Sequence, residues 1–417
     1  MNALRSEVFF GWRVVGAAFV VAVFAWGAGF YGPSVFLHVL HQGRGWPVSL
    51  ISAAITCHFL LSALLVARLP ELHARFGLAA VTRAGALAAA SGMLAWALAA
   101  APWQLFPAAL LSGAGWAATS GAAINAMVSP WFDQRRGAAL SMAFNGASVG
   151  GVIFTPLWAL LIAAFGLTIA VSGVGLVMVA TLWWLAGRYL ARTPDGMGLA
   201  PDGQGPLAGE AARPAAADVA RPPLPSGVAL WRDRRFATLS AAFALGLFAQ
   251  IGLIAHLFSL LAATLGEAWA GAAMSLTTAC AVLGRTLLGA LMPAGADRRV
   301  AAAVNLAVQV AGSLLLLASG GLSVPLLIAG CVCFGLGVGN LVSLPPLIAQ
   351  IEFRARDVGK VVALVTATNQ AVFACAPAAL GALRDAVAGN WAPFLAAALV
   401  QAAAILVVVA PRLSRTH

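Results

Sequence analysis

Arg285 is the side chain in this sequence with the clearest capacity for chemistry. It lies in Ala268–Met292, AWAGAAMSLTTACAVLGRTLLGALM, a stretch about one bilayer crossing long in which no other charge appears. A guanidinium at that depth costs roughly 3 kcal/mol on insertion scales, so it needs a partner or a wet cavity. No Asp or Glu lies within any other apolar stretch of the chain. The guanidinium fork matches a carboxylate through two parallel hydrogen bonds. Together these facts point to a small anion that binds and leaves. The competing reading is a structural arginine, held by helix carbonyls or snorkelling to the membrane surface. Asp297 stands twelve positions on, roughly 18 Å along a helix, which makes snorkelling hard.

Five further polar residues fall near the middle of apolar stretches: His58, Gln250, Asn340, Asn369 and Gln370. Each is a candidate for a hydrogen bond to a cargo hydroxyl or carboxylate. Amides also hold membrane helices together, at about 0.6 kcal/mol apiece. Tyr31 is a candidate donor from the first apolar stretch. His256 is a candidate proton carrier, with a cavity-lining role as the alternative. Asn145 and Ser148 share a Gly/Ala/Ser face suited to close helix packing. Arg135, Arg136, Arg298 and Arg299 are expected to hold topology and a cytoplasmic gate, with Asp133, Glu71 or Asp297 as partners.

Several chemistries are excluded. No GxxxxGK[ST] phosphate loop occurs, so ATP does not drive the protein directly. No His/Cys/carboxylate group has metal-ligand spacing, and a Ser-His-Asp set cannot be assembled where no Asp is available. The five cysteines all sit in apolar stretches and read as small buried hydrophobes. Neither a cofactor nor an enzymatic activity is expected.

The elements that must position these residues are apolar helices. The chain has 417 residues, 62% hydrophobic and 9% charged, against about 25% charged in soluble proteins. Such a chain cannot build a water-facing surface. Six spans are predicted before residue 191: Gly11–Leu40, Val48–Ala67, Ala79–Ala101, Trp103–Met127, Ala138–Ala163 and Leu167–Leu190. The first has Gly27, Gly29, Gly32 and Pro33, which would allow a break. Residues 191–235 are rich in Pro, Ala, Gly and charge and read as a mostly disordered linker. Six more spans follow: Phe236–Thr264, Ala268–Met292, Val300–Ser319, Val324–Gln350, Val358–Arg384 and Trp391–Ala410. The expected domains are a six-helix bundle over 1–190, the linker over 191–235, and a second bundle over 236–417.

With the N-terminus in the cytoplasm, only Arg44 and Arg384 of the basic residues fall outside, apart from the intramembrane Arg285. Both termini and the linker are therefore expected in the cytoplasm, and no cleavable signal peptide is evident. The net charge of +11 is explained by this asymmetry and needs no nucleic-acid partner. The halves echo each other in Phe132-Asp133-Gln134-Arg135-Arg136-Gly137 and Phe353-Arg354-Ala355-Arg356-Asp357-Val358-Gly359. Parallel six-helix repeats of this kind imply a site near the midplane and rocking about it.

The chain resembles the major facilitator superfamily, and several motifs are similar to its monocarboxylate-transporter and oxalate/formate-antiporter group. They are Gly11-Trp12-Arg13-Val14-Val15, Trp46-Pro47-Val48-Ser49, and Phe132 through Gly150, FDQRRGAALSMAFNGASVG. Arg285 stands where that group places a substrate-carboxylate arginine. The Asp that eukaryotic carriers hold one turn earlier is Ala281 here, no lysine stands in the first span, and the only one in the eleventh, Lys360, is at its cytoplasmic start and not in its apolar body. The superfamily's loop signature between spans two and three is degenerate, with Glu71 in place of its Asp. The resemblance implies an all-α membrane protein of twelve transmembrane helices in two pseudo-symmetric bundles. It implies secondary active transport of small organic anions, monocarboxylates in particular, with a proton as candidate companion. An exporter of drugs or other neutral or amphipathic compounds on the same fold is the alternative. The expected setting is a monomer in a bacterial inner membrane.

Overall fold

The computed structural model describes residues 9–203, 228–292 and 296–413, and among them helices dominate and no strand occurs. Ten helices in the described residues are long and apolar enough to cross a membrane. The twelve expected spans map onto them with two adjustments. Spans five and six run as one segment, Arg136–Leu190, turned at Gly166, whose φ of 78° only glycine adopts cheaply. Span four is interrupted at Ser120 into Leu105–Thr119 and Gly121–Val128, so neither piece reaches bilayer length. In the first span the glycine-rich stretch does not break the helix. It widens it into a π-helical segment, Ala25–Tyr31.

Large apolar side chains lie open on the surface, Leu176 and Trp269 each being 72% exposed. Facing water they would be a liability; facing acyl chains they are at home. The protein is a multi-pass integral membrane protein.

Contacts divide the chain into two compact units. The first comprises Met1–Gly32, Leu64–Phe154 and Leu161–Ala211; the second comprises Pro33–Ala63, Thr155–Leu160 and Ala212–His417. The second unit thus gathers parts of spans one, two and five with spans seven to twelve.

In the first unit, the small face of span five packs on span one: a Cβ at Gly146 would strike the backbone carbonyl of Phe19. The loop before span five is anchored by Phe132, which is buried between Phe9 and Trp12, with ring centroids 5.6 and 4.8 Å away. Arg136 stands 3.6 Å from Asp133 and donates through Nε to the Phe132 carbonyl. Asp202, in a left-handed conformation with φ 60°, places its carboxylate on three successive backbone N–H groups of this loop. The distances are 3.0, 2.8 and 3.3 Å to Asp133, Gln134 and Arg135. What burial it has pushes the Asp202 carboxyl up, but these donors outweigh it and hold the group below its ordinary value. The reading of 191–235 as mostly disordered is therefore corrected at both ends: turns cover 195–203 and Val228–Arg232 is a short helix. Residues 204–227 lie outside the described residues.

In the second unit, Asp233 and Asp297 cap spans seven and nine, each accepting two backbone N–H bonds. Arg299 is fully buried, and all five of its guanidinium donors are met. Nε and Nη2 grip the two oxygens of Glu352 at 2.7 and 2.8 Å. The other donors reach Thr238 Oγ1, the Val408 carbonyl and the Arg235 carbonyl. One side chain thus ties the ends of spans seven, nine, ten and twelve. The expected partners for Arg299 were Asp133, Glu71 or Asp297; the partner is Glu352, and Asp297 instead caps the helix backbone. Phe353, the counterpart of Phe132, is likewise buried and lies under the guanidinium of Arg235 at 4.9 Å.

Replacing Arg299 by Ala strands Glu352 with little water to solvate it, which costs about 3–5 kcal/mol. Thermal unfolding in detergent should show a fall of many degrees, and Arg299→Lys should not restore it, because lysine cannot bind two carboxylate oxygens side by side. An unchanged melting point in Arg299→Ala would contradict this bolt. The Asp202 contact should fail in acid. A carboxyl whose folded pKa is depressed contributes stability that is fully present above its unfolded value of about 3.9 and is lost as pH falls through the folded value. Hydrogen exchange at the amides of 133–135 should therefore quicken below about pH 4 in the parent and be fast at all pH in Asp202→Ala. Equal protection in the two proteins would contradict it.

Candidate functional site

The tenth span is two helices, Val324–Val338 and Asn340–Glu352, that meet at Gly339. Arg285, on the helix Glu267–Leu291, donates from Nε to the Gly339 carbonyl at 3.3 Å. A Cβ at Gly339 would lie 3.1 Å from Nη2 and 3.2 Å from Nε of Arg285, so glycine lets the guanidinium lie flat on the junction. Arg285 is half-buried. The helix-carbonyl contact foreseen for a structural arginine is thus present, in a residue that is half-buried.

Asn340 follows directly. Its Nδ2 donates to Asn305 Oδ1 at 2.7 Å and to the Leu336 carbonyl at 3.3 Å, while Asn305 Nδ2 donates to the Gly337 carbonyl at 3.1 Å. The carbonyls of Leu336, Gly337 and Gly339 are therefore each met by a side chain. Arg285 and Asn340 are brought together at this junction.

Gln250 is engaged elsewhere. Its Oε1 accepts from Gln309 Nε2 at 3.2 Å, Gln309 Oε1 accepts from Gln401 Nε2 at 3.1 Å, and Gln401 Oε1 accepts from Ser313 at 3.0 Å. This buried amide chain links spans seven, nine and twelve, the helix-holding role that amides have in membranes. Gln309, Gln401 and Asn305 were missed from the sequence, although each is a polar residue inside an apolar stretch and carried that signal.

Asn369 is 5% exposed, and its Oδ1 has no hydrogen-bond partner among the described residues. Gln370 beside it is half-buried, and its backbone carbonyl receives the Ala374 N–H where span eleven is interrupted before Pro377. His58 is buried, with its ring edge-to-face on Phe59 at 4.9 Å. Tyr31 is buried at the end of the π-helical segment, in the first unit. It adjoins an aromatic cluster in which Phe30 contacts Tyr31 at 5.0 Å and Trp116 at 6.0 Å, and Trp26 contacts Trp116 at 4.9 Å and Phe144 at 6.2 Å. π-helical turns recur at functional sites.

His256 is fully buried among polar partners in the second unit. Arg384 Nη1 points at its Nδ1 from 3.3 Å, and arginine can only donate. Nδ1 is therefore the acceptor, and the hydrogen is on Nε2, which donates to the Pro377 carbonyl at 3.0 Å. This assignment makes the ring neutral; a proton on Nδ1 would face the guanidinium. Other polar contacts accompany it. Asp385 caps the second span through the Ser49 N–H at 2.8 Å, Thr56 accepts the Ala378 N–H at 3.1 Å, Ser34 donates to the Ile254 carbonyl at 3.0 Å, and His38 stands 3.4 Å from Glu267. Residues 34–56 are laced in this way to residues 254–385.

No functionally curated protein matches the chain. Among solved structures, a single-residue variant of the nucleoside transporter NupG has a TM-score of 0.74 at 11% identity, covering 96% of this chain and 99% of that one. A POT family transporter in complex with a conjugated peptide has a TM-score of 0.69 at 13% identity, covering 96% of each chain. A bacterial homologue of the human lysosomal transporter Spinster, inward-facing and unoccupied, has a TM-score of 0.64 at 14% identity, covering 98% and 95%. At such identities the likeness is one of fold. The profile of the Major Facilitator Superfamily matches residues 17–377. With that match spanning most of its length, the chain belongs to the Major Facilitator Superfamily and is a transporter, not an enzyme.

Proposed function

We propose that the protein is a secondary active transporter of small organic anions, monocarboxylates in particular, and that Arg285 binds the cargo carboxylate. One observation carries the reading: a half-buried guanidinium lodged at a helix junction inside an apolar span, in a chain whose other apolar stretches hold no carboxylate to neutralise it. The bond to Gly339 anchors the guanidinium at one nitrogen, and an oriented guanidinium favours paired hydrogen bonds to a carboxylate. Asn340 and Asn369 are the supporting polar partners, and Tyr31, His58, Gln250 and Gln370 stand behind them as weaker candidates.

In this reading the sequence halves 1–190 and 236–417 rock about the cargo, and 191–235 joins them on the cytoplasmic side of a bacterial inner membrane. The polar lacing of residues 34–56 to residues 254–385 is one gate, which must part for cargo to pass. A proton accompanies the anion, so that the crossing moves no net charge. His256, held neutral by Arg384, carries no proton while that gate is laced, so the cargo brings its own. The aromatic cluster of Trp26, Phe30, Trp116 and Phe144 favours a second reading, export of amphipathic neutral compounds, because flat rings stack on such walls without charge.

Uptake of labelled short monocarboxylates into proteoliposomes separates the two. The parent should accumulate label faster with an inwardly directed proton gradient. Arg285→Ala should lose about tenfold or more of the rate, the worth of one charge-assisted hydrogen bond, and Arg285→Lys should recover only part of it. Equal uptake by the parent and Arg285→Ala would remove the anion reading and leave the neutral-cargo one.

A further inference from the structure

At the helix junction that Arg285 bonds, a buried acceptor has nothing to accept among the described residues. Asn340 is 2% exposed, and its Oδ1 has no hydrogen-bond donor among the described residues. The orientation of this amide is settled by its neighbours. Asn305 Nδ2 must face the Gly337 carbonyl, so Asn305 Oδ1 faces Asn340, and Asn340 must present Nδ2 to it and to the Leu336 carbonyl. Turning either amide over would set donor against donor and oxygen against oxygen. The unmet atom is therefore an oxygen. Other buried polar atoms without a partner do not have this certainty: the hydroxyls of Ser62 and Ser240 rotate, and no contact fixes the amide of Asn369.

Its position is as telling as its chemistry. The residue before Asn340 supplies the carbonyl that orients Arg285. The Leu336 carbonyl that Asn340 bonds lies directly against Gly284, the residue before Arg285, so closely that a Cβ there would collide with it. Acceptor and guanidinium thus share one helix junction, with opposite demands on a ligand. The guanidinium takes an anionic oxygen. The amide oxygen repels an anionic or carbonyl oxygen and takes a hydrogen.

We propose that Asn340 determines specificity: its side-chain oxygen accepts the hydroxyl hydrogen of a cargo whose carboxylate Arg285 holds, so that the preferred cargo is a short hydroxycarboxylate. This rests on the reading of Arg285 as the carboxylate site. An unsubstituted acid leaves the acceptor unmet, and a 2-oxo acid sets a second oxygen against it. A site built to hydrogen-bond a hydroxyl rejects the analogue without one far more strongly than an apolar pocket separates acids of different length.

Equilibrium binding of 2-hydroxypropanoate, 3-hydroxypropanoate, 2-oxopropanoate and propanoate to the purified full chain tests the proposal. The parent should bind at least one hydroxy acid about tenfold or more tightly than propanoate and 2-oxopropanoate. Asn340→Leu, which keeps the branched shape and removes the acceptor, should bring that ratio to within about twofold. The parent measurement needs no variant to fold, and equal affinity for hydroxy acids and propanoate there overturns the proposal, as does a preference that survives in Asn340→Leu. Arg285→Ala separates the two levels. If it abolishes binding of all four acids while the parent shows no hydroxyl preference, the anion reading stands and the role of Asn340 falls. If it leaves all four affinities unchanged, the anion reading falls and this proposal with it.

Discussion

A hydrogen-bonding group inside a bilayer has no water to fall back on, and the bond from Arg285 to the Gly339 carbonyl is where that constraint presses hardest. The bond places a full charge in an apolar span and orients it. It is possible because residue 339 has no side chain to hold the guanidinium off, and because the tenth span is two helices whose junction exposes carbonyls. The roughly 3 kcal/mol that insertion of such a charge costs is large against the few tenths contributed by an ordinary interhelical hydrogen bond, and a group retained at that cost has a use.

Two arginines in the same half differ in how they are held. Arg299 meets five acceptors and grips both oxygens of Glu352, so every donor is fixed and nothing remains for a ligand. Arg285 stays half-buried and donates to a backbone carbonyl, that of Gly339. In the same half the amide chain Gln250–Gln309–Gln401 and the pair Asn305–Asn340 link spans seven, nine, ten and twelve. A rigid polar lattice of this kind is what keeps a binding group in one geometry while larger segments move.

Much of the architecture was legible. Bilayer-length apolar runs specify spans without any knowledge of tertiary contacts, and Gly166 and the turn at Phe132 fell where the loops were expected. Arg285 stood out because a lone charge in such a run is conspicuous. What escaped notice depends on long-range pairing. Nothing local joins Arg299 to Glu352, 53 positions away, and nothing local shows that Asp202 folds back on the N–H groups of 133–135. Within the π-helical part of the first span Gly29 lies under the Trp116 ring, a long-range contact that nothing local reveals. Gln250 read as a cargo contact because its amide is mid-span; its partners Gln309 and Gln401 were equally visible but gave no sign of lying within reach.

The account as a whole turns on whether the guanidinium of Arg285 is a reversible anion site. A ligand that binds only the folded protein raises its stability by about 2.7 kcal/mol at a hundredfold excess over Kd, so thermal unfolding of the purified chain across a panel of short carboxylates and size-matched neutral amides is the most direct measurement. The account predicts that carboxylates raise the melting point of the parent by several degrees, that the amides do not, and that Arg285→Ala abolishes the response without itself unfolding. Amides that stabilise as well as carboxylates, or a carboxylate response that persists in Arg285→Ala, would contradict it.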